Sequence, residues 1–333
     1  MKALIYDGPE VLRYGDVPDP VPAPDGSRSE QLIRIEAVGI CGSDMHAYLG
    51  HDSRRPAPLI LGHEAAGVIV GGSKDGTRVT VNPLVTCTKC EFCTSGRTNL
   101  CAKRQIISMQ PREGAFAQYV TMPRRNLVEV PDHVTLAQAS LAEPIACGWH
   151  AARLARRAYP RGRTALVIGG GAIGLGAALS LRAQGVTDVV VLEPNPVRAG
   201  YVRGNCGQTV LSQDDLPAEP AFDIVVDGVG FAATRATASA SVRAGGVIAH
   251  IGLGDAKEGL DVRRMTLQEI TFIGTYTYTA QDFRDTAHAM FDGRLGALDW
   301  TETRPLSQGA RAFKDIRAGV VAAPKVVLLP QEA

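Results

Sequence analysis

The apolar run Thr164-Ala-Leu-Val-Ile168 leads straight into Gly169-Gly-Gly171-Ala-Ile-Gly174, and a helical stretch, Ile173–Gln184, opens inside that loop and stops at Gly185. A buried strand that turns through G-x-G-x-x-G into a helix has few ways to pack, because the helix must cross over to a parallel neighbour. Candidate neighbours lie downstream: Asp188–Glu193, Phe222–Asp227, Val247–Ile251 and Ile270–Thr275 read as further buried strands, with helical segments between several of them. Alternating β and α units of this size predict an α/β domain built on a doubly wound parallel sheet. In the loop, Gly169 permits the tight turn, Gly171 lets a pyrophosphate approach the backbone and Gly174 lets helix and strand pack closely; the helix N-terminus at Ile173 favours the negative charge. Glu193 ends the next strand, where a carboxylate hydrogen-bonds adenosine ribose hydroxyls and repels a 2′-phosphate. That favours NAD over NADP, although Arg198, placed to cover the adenine face, also tolerates a phosphate.

Upstream of Glu143 the texture differs. Lys2–Tyr6, Gln31–Val38, Gly67–Val70, Arg78–Val81 and Ala115–Thr121 are short strand-like runs separated by Pro and Gly turns, notably Pro18–Pro24. They predict a small, mostly β barrel or sandwich with long functional loops. Beyond Thr275 one more helix, Gln281–Phe291, and a late strand, Lys325–Leu329, are expected to return to this first domain.

The loops of the β part carry metal-binding residues. Cys87, Cys90, Cys93 and Cys101 form a C-x2-C-x2-C-x7-C run, the pattern of one closed tetrahedral zinc site. Four sulfurs leave no position for water or substrate, so this zinc is structural. Cys41, His63, Glu64 and Glu143 bracket it in sequence. A thiolate, an imidazole and one or two carboxylates supply a second zinc site that keeps a position open, where zinc acts as a Lewis acid.

Composition narrows the partners. A formal net charge of +1 gives no electrostatic reason to expect nucleic acid or an anionic membrane, which argues against reading the cysteine run as a nucleic-acid-binding ribbon. No apolar run is long enough to span a bilayer. Seven cysteines, four of them clustered, fit metal-bound thiolates in a reducing cytoplasm better than a disulfide framework.

Gly39–His46, Gly62–Gly67, Gly76–Pro83, Cys87–Cys101, Glu143-Pro144 and Gly169–Gly174 together resemble the zinc-containing medium-chain dehydrogenase/reductase family of alcohol dehydrogenases, most closely its polyol branch of sorbitol, galactitol-phosphate and threonine dehydrogenases. The resemblance runs essentially end to end. It implies a GroES-like catalytic domain from residues 1–145 and 276–333, with a structural zinc lobe at about 84–104, around a Rossmann NAD-binding domain at 146–275. It implies two zinc ions per chain, the catalytic one held by Cys41, His63 and Glu64, with Glu143 binding directly or through water. Ser43 matches the hydroxyl that contacts the substrate alcohol, and His46 a residue that passes the proton to water. Ser43 as a helix N-cap and His46 as a surface histidine are the plainer alternatives.

The implied reaction is hydride transfer from a secondary alcohol, a polyol or sugar alcohol that is phosphorylated or not, to NAD. An L-threonine 3-dehydrogenase-like or simple alcohol dehydrogenase activity is the alternative. Thr277 stands where sorbitol dehydrogenases carry an arginine, and Tyr276 and Tyr278 line either the pocket or an interface. An amino-acid substrate needs a carboxylate anchor, for which Arg54, Arg55 and Arg112 are candidates. The family further implies a homodimer or homotetramer.

Overall fold

The structure is a computed structural model that describes residues 1–22 and 30–332. Residues 23 and 24 of the expected proline turn, and residue 333 of the expected C-terminal segment, lie outside the described residues.

The run after Thr164 folds as its pattern dictates. Six parallel strands lie in the order Thr209–Leu211, Asp188–Leu192, Thr164–Ile168, Phe222–Asp227, Val242–His250 and Thr271–Gly274. In chain order this is 3-2-1-4-5-6, the doubly wound arrangement whose direction reverses beside the first strand. Thr164–Ile168 and Phe222–Asp227 are central and almost wholly buried, which is why they read as unbroken apolar runs rather than as alternating ones. The helix Ala172–Ala183 leaves the glycine loop and packs on the sheet. A Cβ on Gly174 would come within 1.8 Å of the Gly169 carbonyl oxygen, so only glycine fits there.

The second large sheet draws strands from both ends of the chain. Its order is Leu127–Glu129, Arg78–Val81, Glu64–Val70, Glu30–Gly39, Lys325–Leu329 and Thr301–Pro305. Glu30–Gly39 is the hub. One edge pairs with Glu64–Val70; the other pairs with Tyr119–Pro123 along Glu30–Arg34 and with Lys325–Leu329 at Val38 and Gly39. A three-stranded sheet of Val11–Asp16, Lys2–Gly8 and Leu59–Ile60 flanks it. The late strand Lys325–Leu329 therefore lies in the β part, with Thr301–Pro305, a polar strand that hydrophobic periodicity does not reveal.

Several boundaries move for identifiable reasons. The strand expected at Gly67 begins at Glu64, because Glu64-Ala-Ala carries no β-branched signal yet pairs with Ala37–Gly39. The strand expected at Ala115–Thr121 is regular only over Tyr119–Pro123. Upstream, Ala115 and Phe116 bond the carbonyls of Gly62 and Leu61, and the Phe116 carbonyl accepts from Leu4, so the partner changes from residue to residue and no ladder forms. The helix Ala142–Ala158 carries Glu143 in its first turn. It packs against the nucleotide-side helix and the helix Ala280–Phe291 through Ile145, Trp149, Leu175, Tyr278 and Phe283, large side chains whose burial contributes about 1.5–3 kcal/mol each. Beneath them Asp282 accepts hydrogen bonds from Arg153 Nε (2.6 Å) and from Thr279 Oγ1 (2.6 Å) and lies 2.8 Å from His150 Nδ1, locking the two helices together.

Candidate active site

The four-cysteine loop closes on itself. All four Sγ atoms lie within 4.8 Å of one another, and the contacts Cys87–Cys93 and Cys90–Cys93 are 3.9 and 3.5 Å. Sulfurs about 2.3 Å from a tetrahedral zinc stand about 3.8 Å apart, so the donor set fits that ion. Backbone N–H groups of Lys89 and Cys90 hold the Cys87 thiol down at about 6, while burial and the neighbouring sulfurs push Cys93 up to about 12.

A second cluster gathers where Glu30–Gly39 ends. Cys41 is the N-cap of the short helix Gly42–Tyr48, and His63 and Glu64 open the strand Glu64–Val70 on the neighbouring hairpin. One ligand atom from each of Cys41, His63 and Glu64 lies within 4.8 Å of the others. Gly39 makes room, since a Cβ there would stand 2.0 Å from Glu64 Oε2. That oxygen is buried and has no hydrogen-bond partner, whereas Oε1 accepts from Lys325 Nζ at 2.6 Å. An unpartnered buried carboxylate oxygen facing a thiol and an imidazole is a cation-seeking arrangement. The His63 ring is oriented through Nδ1, 3.4 Å from both Asp44 Oδ1 and Ser108 Oγ, which leaves Nε2 for the cluster. Burial pushes the imidazole pKa down, but Asp44 and Cys41 outweigh it and the net direction is strongly up, again the mark of a negative pocket.

Glu143 comes to the same site from the helix Ala142–Ala158. Its Oε1 accepts from the Tyr278 hydroxyl at 2.7 Å. Burial raises its pKa; His63 pulls it down, Glu64 pushes it up, and the net direction is up. Burial also pushes the Tyr278 hydroxyl well above its ordinary value, with Glu143 reinforcing it, so the phenol stays a donor. The Cys147 thiol, one turn beyond Glu143, is driven well up by burial and then by Glu143, so it remains a protonated core thiol.

Ser43 and His46 both lie on the helix Gly42–Tyr48, three residues apart and hence on one face. Cys41 takes the N-cap position, so the Ser43 hydroxyl is not spent on capping. Arg55 Nη1 donates to the Ser43 carbonyl (3.1 Å) and Nη2 to its Oγ (3.5 Å). His46 is exposed, with its ring centroid 6.5 Å from that of His51.

At the glycine loop the N-cap Gly171 offers no capping side chain, which leaves the first-turn N–H groups of Ala172–Ala183 to an anion. Glu193 reaches back, Oε2 accepting from Gly170 N and Oε1 from Asn195 N, both at 2.8 Å. Arg198 Nη2 donates to the Val321 carbonyl at 3.3 Å, its Nε is buried without a partner, and Nη1 would be 3.8 Å from a Cβ on Gly171. The guanidinium therefore stands against the loop rather than away from it. Gly169, Gly171, Ile173, Gly174, Glu193 and Arg198 thus converge at one end of the parallel sheet.

Sequence reasoning misses several supports. Lys325 reads as the start of an apolar strand, yet it is buried and donates to Glu64 and to the Ile40 carbonyl (2.9 Å). Arg55, a candidate carboxylate anchor in the sequence, instead bonds Ser43, and Ser108 carries no motif and is found only through its contact with His63. The T-x-x-D box at Thr279 and Asp282 is the one readable signal, marking the helix start next to Tyr278.

Together, a closed sulfur lobe, a buried mixed-donor cluster and a dinucleotide-type loop define a two-domain zinc dehydrogenase of the GroES-like and Rossmann kind. Residues 27–132 match the alcohol dehydrogenase GroES-like domain and residues 172–292 match zinc-binding dehydrogenase. The chain is 35% identical over 322 residues to sorbitol dehydrogenase of Bacillus subtilis (strain 168), covering 88% of this chain and 89% of that protein. It is 33% identical over 312 residues to L-galactonate-5-dehydrogenase of Escherichia coli (strain K12), covering 89% of each. A solved protein of Sinorhizobium meliloti 1021, bound to NADP, superposes with a TM-score of 0.87 at 25% identity over 99% of both chains. The chain belongs to the zinc-binding medium-chain dehydrogenase/reductase family, in its polyol branch, and is an oxidoreductase acting on secondary alcohols. Among the described residues no helix is long and apolar enough to cross a membrane.

Proposed function

We propose that the chain is an NAD-dependent polyol dehydrogenase with two zinc ions, one in the Cys87, Cys90, Cys93 and Cys101 lobe and one held by Cys41, His63 and Glu64 with Glu143 beside it. The observation that carries this reading is the buried, partnerless Glu64 Oε2 facing Cys41 and His63. When bound, zinc supplies a Lewis acid for the alcohol oxygen and the nicotinamide supplies the hydride acceptor. The chain does the rest. Asp44 and Ser108 fix the His63 ring, and Lys325 balances Glu64 without filling its second oxygen. Ser43 Oγ accepts from Arg55, so its own proton is free to move as it takes the one from the substrate hydroxyl. His46, exposed on the same helical face, hands that proton to solvent.

NAD is favoured over NADP because Glu193 sits against the glycine loop; the Arg198 guanidinium beside Gly171 is the feature that favours the alternative. We take the catalytic domain as residues 1–145 and 276–333 and the cofactor domain as 146–275. The sheet-edge strand Thr271–Gly274, with Phe272 exposed, supports association into a homo-oligomer, and seven free thiols suit a cytoplasmic setting. The test is NADH production at 340 nm across sugar alcohols, vicinal diols, simple alcohols and threonine, with NAD and NADP in parallel. Activity on polyols with NAD is expected; activity confined to threonine or to ethanol-like alcohols overturns the substrate assignment.

A further inference from the structure

The C-terminal end of the cysteine lobe grips the segment that leads into the helix Ala280–Phe291. Asn99 is buried and donates from Nδ2 to the Tyr276 carbonyl at 2.8 Å. Thr98 Oγ1 accepts from Ala280 N, also at 2.8 Å. Arg104 lays its guanidinium 4.8 Å from the Tyr276 ring centroid, and its Nε donates to the Tyr276 hydroxyl at 3.2 Å. Thr98 and Asn99 belong to the short turn Thr98–Leu100, and the Cys101 N–H bonds the Thr98 carbonyl at 3.1 Å. The turn that presents the fourth sulfur is therefore the turn that holds Tyr276 and Ala280.

The backbone held in this way lies between two regular elements. Thr275 N bonds the His250 carbonyl at 2.9 Å where the parallel sheet ends, and Phe283 N bonds the Thr279 carbonyl at 3.1 Å where the helix begins. Tyr276, Thr277 and Tyr278 belong to neither. Thr277 has a φ of 45°, a conformation that a β-branched residue keeps only when its surroundings dictate it. Its own Oγ1 is buried without a partner and supplies no such constraint. The fixed points are the Tyr276 carbonyl and the Ala280 amide, one on each side, and both are anchored on the lobe. Ala280 is the first residue of its helix, so its N–H has no acceptor within the helix and the Thr98 hydroxyl satisfies it. Between the fixed points stands Tyr278, wholly buried, whose hydroxyl meets Glu143 Oε1 at 2.7 Å.

We propose that Asn99 and Thr98 are positioning residues for the mixed-donor site. The lobe fixes the turn at Tyr276–Tyr278, the turn sets the Tyr278 hydroxyl, and that hydroxyl orients Glu143 beside Cys41, His63 and Glu64. The closed sulfur lobe is thereby coupled to the open site: the order of the sulfur loop governs how firmly the second site holds its ion. This rests on the reading of Cys41, His63 and Glu64 as a zinc centre and adds a control on it. Asn99 and Thr98 themselves touch neither the metal donors of that site nor Glu143.

The experiment uses the zinc-loaded full chain. Competition with a chromophoric zinc chelator gives the affinity of each site, and Cys41→Ser and Cys90→Ser assign the two. Tyr278→Phe should weaken the Cys41 site about 10-fold, as loss of a support to a metal ligand does, and Asn99→Ala about 5- to 10-fold. Thr98→Val should act in the same direction, and Asn99→Gln, which keeps the donor, should recover part of the loss. In the Tyr278→Phe background Asn99→Ala should add less than about 2-fold, because its effect has one route. Hydrogen exchange in residues 276–283 should quicken in Asn99→Ala. Unchanged affinity in Asn99→Ala, or a loss that adds in full to that of Tyr278→Phe, overturns the coupling and leaves the lobe a mere staple. If Asn99→Ala empties the sulfur lobe, the same cycle still decides, since the loss at the Cys41 site must vanish without the Tyr278 hydroxyl; if it does not fold, Thr98→Val takes its place in the cycle. A zinc content that Cys41→Ser leaves unchanged overturns the reading of the second zinc site instead.

Discussion

Replacing Lys325 by Met keeps the stem of the side chain and removes its charge, which isolates one interaction at the centre of the metal cluster. Lys325 is 5% exposed, and Nζ stands 2.6 Å from Glu64 Oε1 and 2.9 Å from the Ile40 carbonyl. At an effective dielectric of ~20, opposite charges at that separation attract by about 6 kcal/mol before desolvation is subtracted. Removing one partner of a buried pair typically costs about 3–5 kcal/mol, because the other charge stays buried and unmatched. In metal-depleted Lys325→Met we therefore expect a loss of about 3–5 kcal/mol by urea unfolding. Glu64→Gln combined with Lys325→Met should recover at least half of it, since the orphaned charge is gone. In the zinc-loaded protein the loss should shrink by about 1 kcal/mol or more, because a cation on Glu64 Oε2 partly neutralises the carboxylate. Zinc content is measured alongside. A loss below about 1 kcal/mol without metal, or additive effects in the double variant, would refute the pairing. An identical loss with and without zinc would show that Glu64 does not face the ion.

Other parts of the molecule can be probed as directly. Cys90→Ser should lower bound zinc from two ions per chain to one while Cys147→Ser retains both, since Cys147 lies outside the sulfur lobe; retention of both by Cys90→Ser rules out the closed four-sulfur site. For Asp282, burial raises the carboxyl pKa but His150, Arg153 and Thr279 outweigh it, so the folded value lies well below the unfolded value near ~3.9. Its contribution is thus complete above about pH 4 and is lost as pH falls toward the folded value. Asp282→Asn should lower stability at pH 7 by about 2–4 kcal/mol, with the gap narrowing below about pH 4; a gap constant from pH 7 to pH 3 contradicts the linkage.

The parallel sheet is the most legible part of the chain, because strands buried on both faces write themselves as apolar runs and the glycine loop dictates the helix and crossover after the first of them. Phe222–Asp227 and Lys325–Leu329 coincide with their apolar runs to the residue. The β part is harder. Glu64 opens a strand whose first residues are an acid and two alanines, and Thr301–Pro305 is polar because it lies on the sheet edge. The metal donors are visible because Cys, His and Glu in tight local spacing are rare without a ligand. Their supports are not, since Lys325 meets Glu64 across 261 residues and Tyr278 meets Glu143 across 135. Such pairings come from topology, and topology is the last thing a pattern of residues discloses. Arg104 illustrates this: nothing near Cys101 distinguishes it from a surface arginine until Tyr276 arrives from the far side of the molecule.

The strand Lys325–Leu329 sits between Glu30–Gly39 and Thr301–Pro305, and Lys325 bonds the Ile40 carbonyl across 285 residues. On the ribosome, then, the two halves of this protein mature in opposite orders. The parallel sheet is contiguous in the chain and closes as soon as Thr271–Gly274 emerges. The other sheet waits with the edge of Glu30–Gly39 open at Val38 and Gly39 and with Glu64 unbalanced until Lys325–Leu329 is released. Nascent chains should therefore hold a finished cofactor domain beside an open, edge-exposed neighbour, the state in which a chaperone matters most to this molecule. Truncating the chain just before Lys325 should cost far more than the length removed suggests, because it takes away the strand that joins Thr301–Pro305 to Glu30–Gly39 together with the ammonium that answers the buried acid.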